Sequence, residues 1–136
     1  MPASLRFVLA LLALATVAGI ASVIVLYRQD AVQARTTAEQ LAGGTVAKGR
    51  QAIGRYGCGA CHQIPGVAGA DGRVGPPLSA MGVRSEIAGV LPNTPDNMVR
   101  WLRTPQQVVP GNGMPDQGIS ERDARDIAAY LYSLKR

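Results

Sequence analysis

The chain has 136 residues, of which 47% are hydrophobic, and a formal net charge of +5 at pH 7. Its length allows one domain with an additional segment. The basic residues form no run interleaved with aromatic side chains, so the charge does not indicate a nucleic-acid-binding protein. Residues 35–136 hold 12 Lys and Arg against 8 Asp and Glu, which indicates either a solvated surface or a positive face for an acidic partner.

The first predicted element is an apolar helix near the amino terminus. Residues 7–27 form a run of 21 residues without a charge. As a helix this run is about 31 Å long, which matches the hydrocarbon core of a bilayer. A cleavable signal peptide usually has a shorter apolar stretch, although Val32-Gln33-Ala34 provides a weak cleavage site. We therefore predict that residues 1–28 form a single-pass signal anchor.

A polar segment follows the apolar run. Residues 29–44 are mostly small or polar and end in Gly43-Gly44. This composition predicts a flexible tether with at most a short helix. Residues 45–136 then form the predicted domain.

The domain begins with a short amphipathic helix. Thr45 is placed to cap this helix, which ends near Arg55. Gly49 lies on the inward face, where it would let another helix approach closely. The other residues of that face are Ala52, Ile53 and Tyr56.

Loops dominate the middle of the chain. Between Pro65 and Gly118 lie eight of the nine prolines and nine of the sixteen glycines, a composition that does not sustain long helices or a regular sheet. One helix interrupts the loops, with Thr94 as its cap and Pro95 at its first position. Its apolar face carries Met98, Trp101 and Leu102, and it stops before Pro105.

The last helix has the clearest local pattern. Ser120 with Asp123 three residues later forms a capping-box pattern. The stripe of apolar residues at helical spacing is Ala124, Ile127, Ala128, Leu131 and Leu134. Because no segment alternates as a strand does, we predict an all-α domain with much loop. With one Trp, one Phe and four Tyr, this domain needs another group to fill its centre.

The motif that carries chemistry is Cys58-Gly59-Ala60-Cys61-His62, the attachment signature of c-type haem. In such a site the two thiols add to the vinyl groups of the porphyrin, and the imidazole becomes an axial ligand of the iron. These are the only cysteines and the only histidine of the chain. A structural zinc site usually needs four ligands, a redox-active pair usually lies in a βαβ context, and a two-residue disulfide loop stabilises little.

The second axial ligand cannot be another histidine of this chain. Of the three internal methionines, Met98 lies on an apolar helix face and Met81 follows His62 closely in a short turn. Met114, in the loop sequence Pro-Gly-Asn-Gly-Met-Pro, is the favoured ligand, because a thioether is a soft ligand that raises the reduction potential. A methionine exposed on a surface turn is the alternative.

These residues resemble a small class I cytochrome c over residues 45–134. The run Gly75-Pro76-Pro77-Leu78 is similar to the Gly-Pro-x-Leu segment of that family. The resemblance implies that the Pro76 carbonyl accepts a hydrogen bond from the His62 ring. It also implies a cytochrome c fold, with short helices and loops around one covalent haem c. The further haem-binding residues implied are Leu78, Trp101 and Leu102.

The segment from Ile64 to Leu78 is similar to that of membrane-tethered cytochromes c of bacterial respiratory chains, including those attached to haem-copper oxidases. The resemblance implies an electron carrier without catalytic residues or a small-molecule substrate. Its partners would be a quinol:cytochrome c oxidoreductase and a terminal oxidase. The anchor would lie in the inner (cytoplasmic) membrane with the haem domain in the periplasm. The alternatives are a haem-bearing subunit of an oxidase or dehydrogenase, or a small-molecule-binding haem protein if Met114 does not ligate.

Overall fold

The structure is a computed structural model that describes residues 2–135. The chain divides after Gln33 into two units. The described residues are mostly helical, which confirms the predicted all-α class. The α-helices are α1 (Ala3–Ala42), α2 (Val46–Arg55), α3 (Pro95–Arg103), α4 (Pro105–Val108) and α5 (Glu121–Ser133). A two-stranded antiparallel ribbon is formed by β1 (Glu86–Ile87) and β2 (Leu91–Pro92).

The predicted apolar helix is present in the first unit. Among the described residues, α1 is long and apolar enough to cross a membrane, with a mean hydropathy of 2.7 over its most apolar window. Its large apolar side chains are exposed, including Leu12 at 59% and Ile20 at 57%. A helix with an apolar surface on every side is stable in lipid, where its backbone hydrogen bonds are satisfied internally.

The conformation of residues 29–42 differs from the predicted flexible tether, because α1 continues to Ala42. These residues include neither Gly nor Pro and are rich in good helix formers such as Ala, Gln and Arg. An ion pair of 3.1 Å between Arg35 and Glu39, one turn apart, supports the helix. The helix ends at Gly43, whose φ of 67° belongs to the left-handed region that glycine adopts without strain.

Helix α2 confirms the predicted bounds and its buried face, on which Gly49, Ala52 and Ile53 lie. Its amino terminus differs in one detail, since the Thr45 side chain makes no capping hydrogen bond. Two carboxylates accept from the free backbone N–H groups instead. Asp126 Oδ1 accepts from Thr45 N at 2.6 Å, and Glu39 Oε1 accepts from Val46 N at 3.0 Å. The bond from Val46 is the main reason why the pKa of Glu39 is lowered.

The helix that approaches Gly49 is α5, and the two helices α2 and α5 pack closely. A Cβ atom on Gly49 would overlap the backbone carbonyl of Asp126 and lie 3.0 Å from the Tyr130 Cβ. The backbones can therefore approach this closely only because residue 49 has no side chain. The apolar stripe of α5 is buried, with Ala124, Ile127, Ala128 and Leu131 each at most 2% exposed.

The two capped helices in the second half of the chain also follow prediction. Thr94 Oγ1 accepts from Asn97 N at 3.4 Å at the start of α3. Ser120 Oγ accepts from Asp123 N at 3.1 Å at the start of α5. Helix α4 and the small ribbon were not predicted. Each is so short that it leaves no periodic pattern in the sequence.

Two tyrosines of α5 connect the helix to the loops. Tyr130 Oη donates to the Pro65 carbonyl, and Tyr132 Oη donates to Asn93 Oδ1 at 2.9 Å. Both residues are 6% exposed. Burial raises the pKa of Tyr132 to about 12. The helix therefore contributes polar anchors for the loops as well as an apolar face.

The close contact between α2 and α5 predicts opposite effects for two glycines of the same helix. Gly49→Ala is expected to lower the free energy of unfolding by about 1–3 kcal/mol, because the new methyl group overlaps the α5 backbone. Gly54→Ala is the matched control, since nothing lies within 4 Å of the position that a Cβ atom would take there. It should stabilise the helix by up to about 1 kcal/mol. Thermal unfolding followed by circular dichroism measures both, and equal shifts would contradict the close approach.

The buried Tyr132 predicts a loss of stability at alkaline pH. The unfolded side chain releases its proton near pH 10, whereas the folded one retains it to about 12. The free energy of unfolding therefore falls as the pH rises through this window. Tyr132→Phe has no phenolic proton, so its stability should fall less steeply between pH 10 and 12. Denaturant unfolding at several alkaline pH values provides the slope, and an unchanged slope would assign the effect to other groups.

Candidate functional site

The three residues of the attachment motif lie on one tight turn directly after α2. Gly57, with a φ of 66°, redirects the chain out of the helix into a short 3₁₀ turn at Cys58–Ala60. Cys61 N and His62 N both donate to the Cys58 carbonyl, at 3.3 and 3.0 Å. Both cysteines are half-buried free thiols. The turn thus fixes two thiols and one imidazole within five residues.

The properties of the two cysteines do not match a redox-active cysteine pair or a structural zinc site. Burial raises the pKa of the Cys58 thiol, whereas a redox-active cysteine needs a lowered pKa to supply thiolate. The described strands form an antiparallel ribbon, not a βαβ unit. Within residues 2–135, no three His, Cys, Asp or Glu side chains converge as a metal cluster. The geometry therefore fits neither a thioredoxin-like pair nor a zinc centre with ligands of these types.

The His62 ring is oriented by the backbone of the following loop. Its Nδ1 lies 2.8 Å from the Pro76 carbonyl oxygen, the contact that the resemblance implied. Because a carbonyl only accepts, the bond requires the proton on Nδ1, which leaves Nε2 with a free lone pair. A hydrogen bond of this kind fixes the ring and the tautomer of a metal-ligating histidine.

The loop that supplies Pro76 is held close to the motif by backbone hydrogen bonds. Gly72 N donates to Gly59 O at 3.0 Å, and Gly75 N donates to Cys61 O at 2.8 Å. A Cβ on Gly75 would lie within 3.0 Å of three atoms of the His62 ring. Sequence analysis did not identify Gly75 as a separate functional residue. The signal for it was its place at the start of the run Gly75-Pro76-Pro77-Leu78 that resembles the Gly-Pro-x-Leu segment.

The three internal methionines differ in their surroundings. Met81 is 4% exposed and Met98 is 1% exposed, so both are part of the apolar core. Met114 is only partly buried, on the loop that follows α4, although it also packs against the core. This confirms the interpretation of Met98 as a core residue. It leaves Met114 as the internal methionine whose thioether is least enclosed by protein.

The remaining predicted residues lie at the margin of the core. Leu78 and Trp101 are partly buried and pack against it, and Leu102 is 6% exposed within it. Their contacts with a haem stay predictions. Arg84 donates to the Pro77 and Ser79 carbonyls at 2.7 and 3.0 Å. It therefore braces the loop next to Pro76.

The donor groups fit a covalently attached haem. They comprise two free thiols on one turn, an imidazole whose Nε2 is available, and a thioether outside the enclosed core. The imidazole is held by a backbone carbonyl and by a glycine that leaves room for the ring. Each of these groups matches a different part of an iron porphyrin: its vinyl groups, and the two axial positions of the iron.

Most of the chain is similar to known proteins. The sequence model of the family described as cytochrome c matches residues 46–135. No solved structure gives a significant match to the chain.

Curated relatives carry two kinds of name. Cytochrome c oxidase subunit 2 of Alkalihalophilus pseudofirmus is 39% identical over 89 residues, which cover 65% of this chain and 25% of that protein. The protein of the same name from Bacillus sp. (strain PS3) is 36% identical over 94 residues, 66% of this chain and 26% of that protein. The chain thus spans about a quarter of the length of these subunits. Cytochrome c2 of Agrobacterium tumefaciens is 35% identical over 106 residues, 65% of this chain and 90% of that protein.

The close approach of Gly75 to His62 predicts a defect in cofactor attachment. Gly75→Ala should displace the imidazole ring and break its bond to Pro76, because the added methyl group meets the ring. The fraction of purified chain that carries covalent haem, measured from the pyridine haemochrome spectrum, is expected to fall severalfold. Gly54→Ala, whose methyl group enters open space, is the control. Equal haem content in the two variants would contradict the proposed role of Gly75.

Proposed function

Because the chain belongs to the cytochrome c family, we propose that it is a membrane-tethered carrier of single electrons with one haem. Haem-based electron transfer follows from the family. The proposal adds that Cys58 and Cys61 hold the porphyrin, that His62 and Met114 bind the iron, and that the amino-terminal helix anchors the protein.

The observation that carries the proposal is the bond between His62 Nδ1 and the Pro76 carbonyl. It holds the ring in one orientation and leaves Nε2 as the only nitrogen with a lone pair for iron. It also increases the basicity of the imidazole as a ligand. The two cysteines on the preceding turn then hold the porphyrin beside this ring, so ligand and attachment points belong to the same rigid segment.

The second axial ligand is assigned to Met114 by the distribution of the methionines. Met81 and Met98 are enclosed in the apolar core, where they are 4% and 1% exposed. Met114 lies on a loop instead. A bound haem would supply the reversible one-electron change between ferrous and ferric iron. With a nitrogen and a sulfur ligand from the protein, no axial position is open for a substrate, which favours electron transfer over ligand binding.

The count of haems follows from the sequence. The chain has two cysteines and one histidine, all within the single attachment motif. A second covalent haem would need a second motif of the same kind. We therefore assign one haem c to this chain.

The proposed location combines the apolar helix with the chemistry of attachment. Helix α1 is long and apolar enough to cross a membrane once. In bacteria haem is attached to the motif outside the cytoplasm. We therefore place the haem domain in the periplasm and the anchor in the inner membrane, where the anchor makes the search for a membrane partner local.

The proposed partners follow from the relatives. Three curated relatives are named cytochrome c oxidase subunit 2 and one is named cytochrome c2. We propose transfer from a quinol:cytochrome c oxidoreductase to a terminal oxidase. Exposed Lys48 and Arg50 lie on α2, the helix that precedes the attachment turn, where they can steer an acidic partner. Arg55 is less available, since it pairs with Asp123 at 2.7 Å.

A second candidate function is that of a fixed haem-bearing subunit of an oxidase. It is favoured by the similarity to part of the oxidase subunits, which carry the matching region within a longer chain. Purification in mild detergent separates the two candidates. Stoichiometric copurification with oxidase subunits after washing with high salt would support the fixed subunit, and isolation as a free haem protein would support the mobile carrier.

The assignment of the axial ligand predicts a spectroscopic change. In the oxidised protein we expect a weak red absorption band from sulfur-to-iron charge transfer, which Met114→Ala should abolish. The reduced Met114→Ala variant should also bind carbon monoxide, because one axial position is open. Met98→Leu, a change of similar volume in the core, is the control and should retain the band. A wild-type protein that lacks the band and binds carbon monoxide would instead indicate a small-molecule-binding haem protein.

A further inference from the structure

The loop that carries Met114 is held together by hydrogen bonds from two side-chain amides, those of Gln106 and Asn112. We call residues 105–116 the methionine loop. Gln106 uses both ends of its amide in this loop. Its Nε2 donates to the Asn112 carbonyl at 2.8 Å and to the Met114 carbonyl at 2.7 Å, and its Oε1 accepts from Gly111 N at 3.1 Å.

The amide of Asn112 completes the arrangement from the opposite direction. Its Nδ2 donates to the Pro105 carbonyl at 2.9 Å and to the Val109 carbonyl at 2.7 Å, and its Oδ1 accepts from Met114 N at 2.7 Å. The N–H of Met114 is therefore bound by one side-chain amide and its C=O by the other. The two backbone polar groups of the ligand residue are both held by side chains.

The backbone of the loop supplies little alternative support for Met114. Among the described residues, no backbone-to-backbone hydrogen bond reaches Met114. Pro110 and Pro115 have no N–H to donate. Gly111 has a φ of 79°, and Gly113 adds a second residue with little conformational preference. Without the two amides, this segment would have many accessible conformations.

The neighbouring glutamine shows that the arrangement is specific to position 106. Gln106 is partly buried, whereas Gln107 is exposed and its side chain makes no hydrogen bond within residues 2–135. The two residues have the same chemistry and lie next to each other on α4. They differ in burial and in whether their amides are directed into the methionine loop.

We propose that Gln106 and Asn112 are positioning residues, which fix the backbone of Met114 and thereby keep its thioether on the iron. This inference rests on the proposed function, because it concerns the ligand assigned there. Neither residue touches the iron. The two amides act by reducing the freedom of the loop, so that less conformational entropy would be lost when the thioether binds the iron.

The test compares isosteric changes at the two adjacent glutamines in the full-length, haem-loaded protein. In Gln106→Glu a carboxylate would face the carbonyls of Asn112 and Met114, which need donors. Gln107→Glu introduces the same charge one residue away, at an exposed side chain that makes no hydrogen bond within residues 2–135. The measurement is the affinity of the oxidised protein for imidazole, which competes with the thioether, together with the intensity of the red charge-transfer band and the thermal midpoint.

We expect Gln106→Glu to increase the affinity for imidazole by roughly tenfold or more, because both hydrogen bonds that the Gln106 Nε2 donates are lost. The red band should weaken in parallel. Gln107→Glu should change the affinity by less than about twofold. Asn112→Asp, which keeps the acceptor for Met114 N but loses both donors, should resemble Gln106→Glu. If Gln106→Glu does not retain haem, Gln106→Asn replaces it under the same criteria.

Two results would overturn the inference. One is an equal imidazole affinity in the variants at positions 106 and 107. The other is a lower thermal midpoint for Gln106→Glu with an unchanged affinity and red band, which would mean a purely structural role. Failure of the proposed function is a separate observation, since it is read from the wild-type protein as absence of the red band with binding of carbon monoxide.

Discussion

The close packing of α2 on α5 at Gly49 is the constraint on which the rest of the domain depends. The two backbones meet at Gly49 and Asp126 because residue 49 has no side chain. At the far end of α2, Asp123 of α5 accepts from Arg55 at 2.7 Å and from the Tyr56 hydroxyl at 2.8 Å. The hydrogen bond from Tyr56 is the main cause that lowers the pKa of Asp123. The end of α2 is thus fixed on both its apolar and its polar side.

That fixed end determines where the attachment turn begins. Cys58 follows α2 after only two residues, so the packing of α2 on α5 determines where the two thiols lie. The loop that orients His62 is tied to the same turn by backbone hydrogen bonds from Gly72 and Gly75. On this side of the site, backbone hydrogen bonds hold the turn with Cys58, Cys61 and His62 together with the loop that contains Pro76.

The two proposed axial ligands are supported in different ways. His62 is held by backbone groups on a turn next to a helix, and its ring has one orientation. Met114 lies far along the chain in the methionine loop, which holds three prolines and two glycines, and its backbone is bonded by the side chains of Gln106 and Asn112. The position of Met114 therefore depends on Gln106 and Asn112, two side chains that are not themselves proposed as ligands. Because of this asymmetry, the proposed control of ligand exchange lies on the methionine side.

Much of this architecture was predictable from local sequence signals. The attachment motif, the capped starts of α3 and α5, the apolar run of α1 and the crossing at Gly49 each depend on residues a few positions apart, whose chemistry imposes a conformation. The cytochrome c family was likewise predictable, because a five-residue motif with the only cysteines and histidine leaves few alternatives. The exclusion of Met98 as a ligand followed from its place on an apolar helix face.

Other features depended on contacts between residues that are distant in sequence. The extension of α1 to Ala42 was missed because polar composition alone does not distinguish a tether from a helix whose small residues, Ala38 and Ala42, are buried. The capping of α2 by Asp126 joins positions 81 residues apart. In the sequence, Gln106 and Asn112 look like ordinary polar loop residues. Their hydrogen bonds to Met114 are visible only in the folded loop. The sequence determined which chemical groups are present and where helices begin, because those features depend on neighbouring residues. Only the tertiary structure decided which polar groups meet, because hydrogen-bond partners are set by the packing of the whole domain.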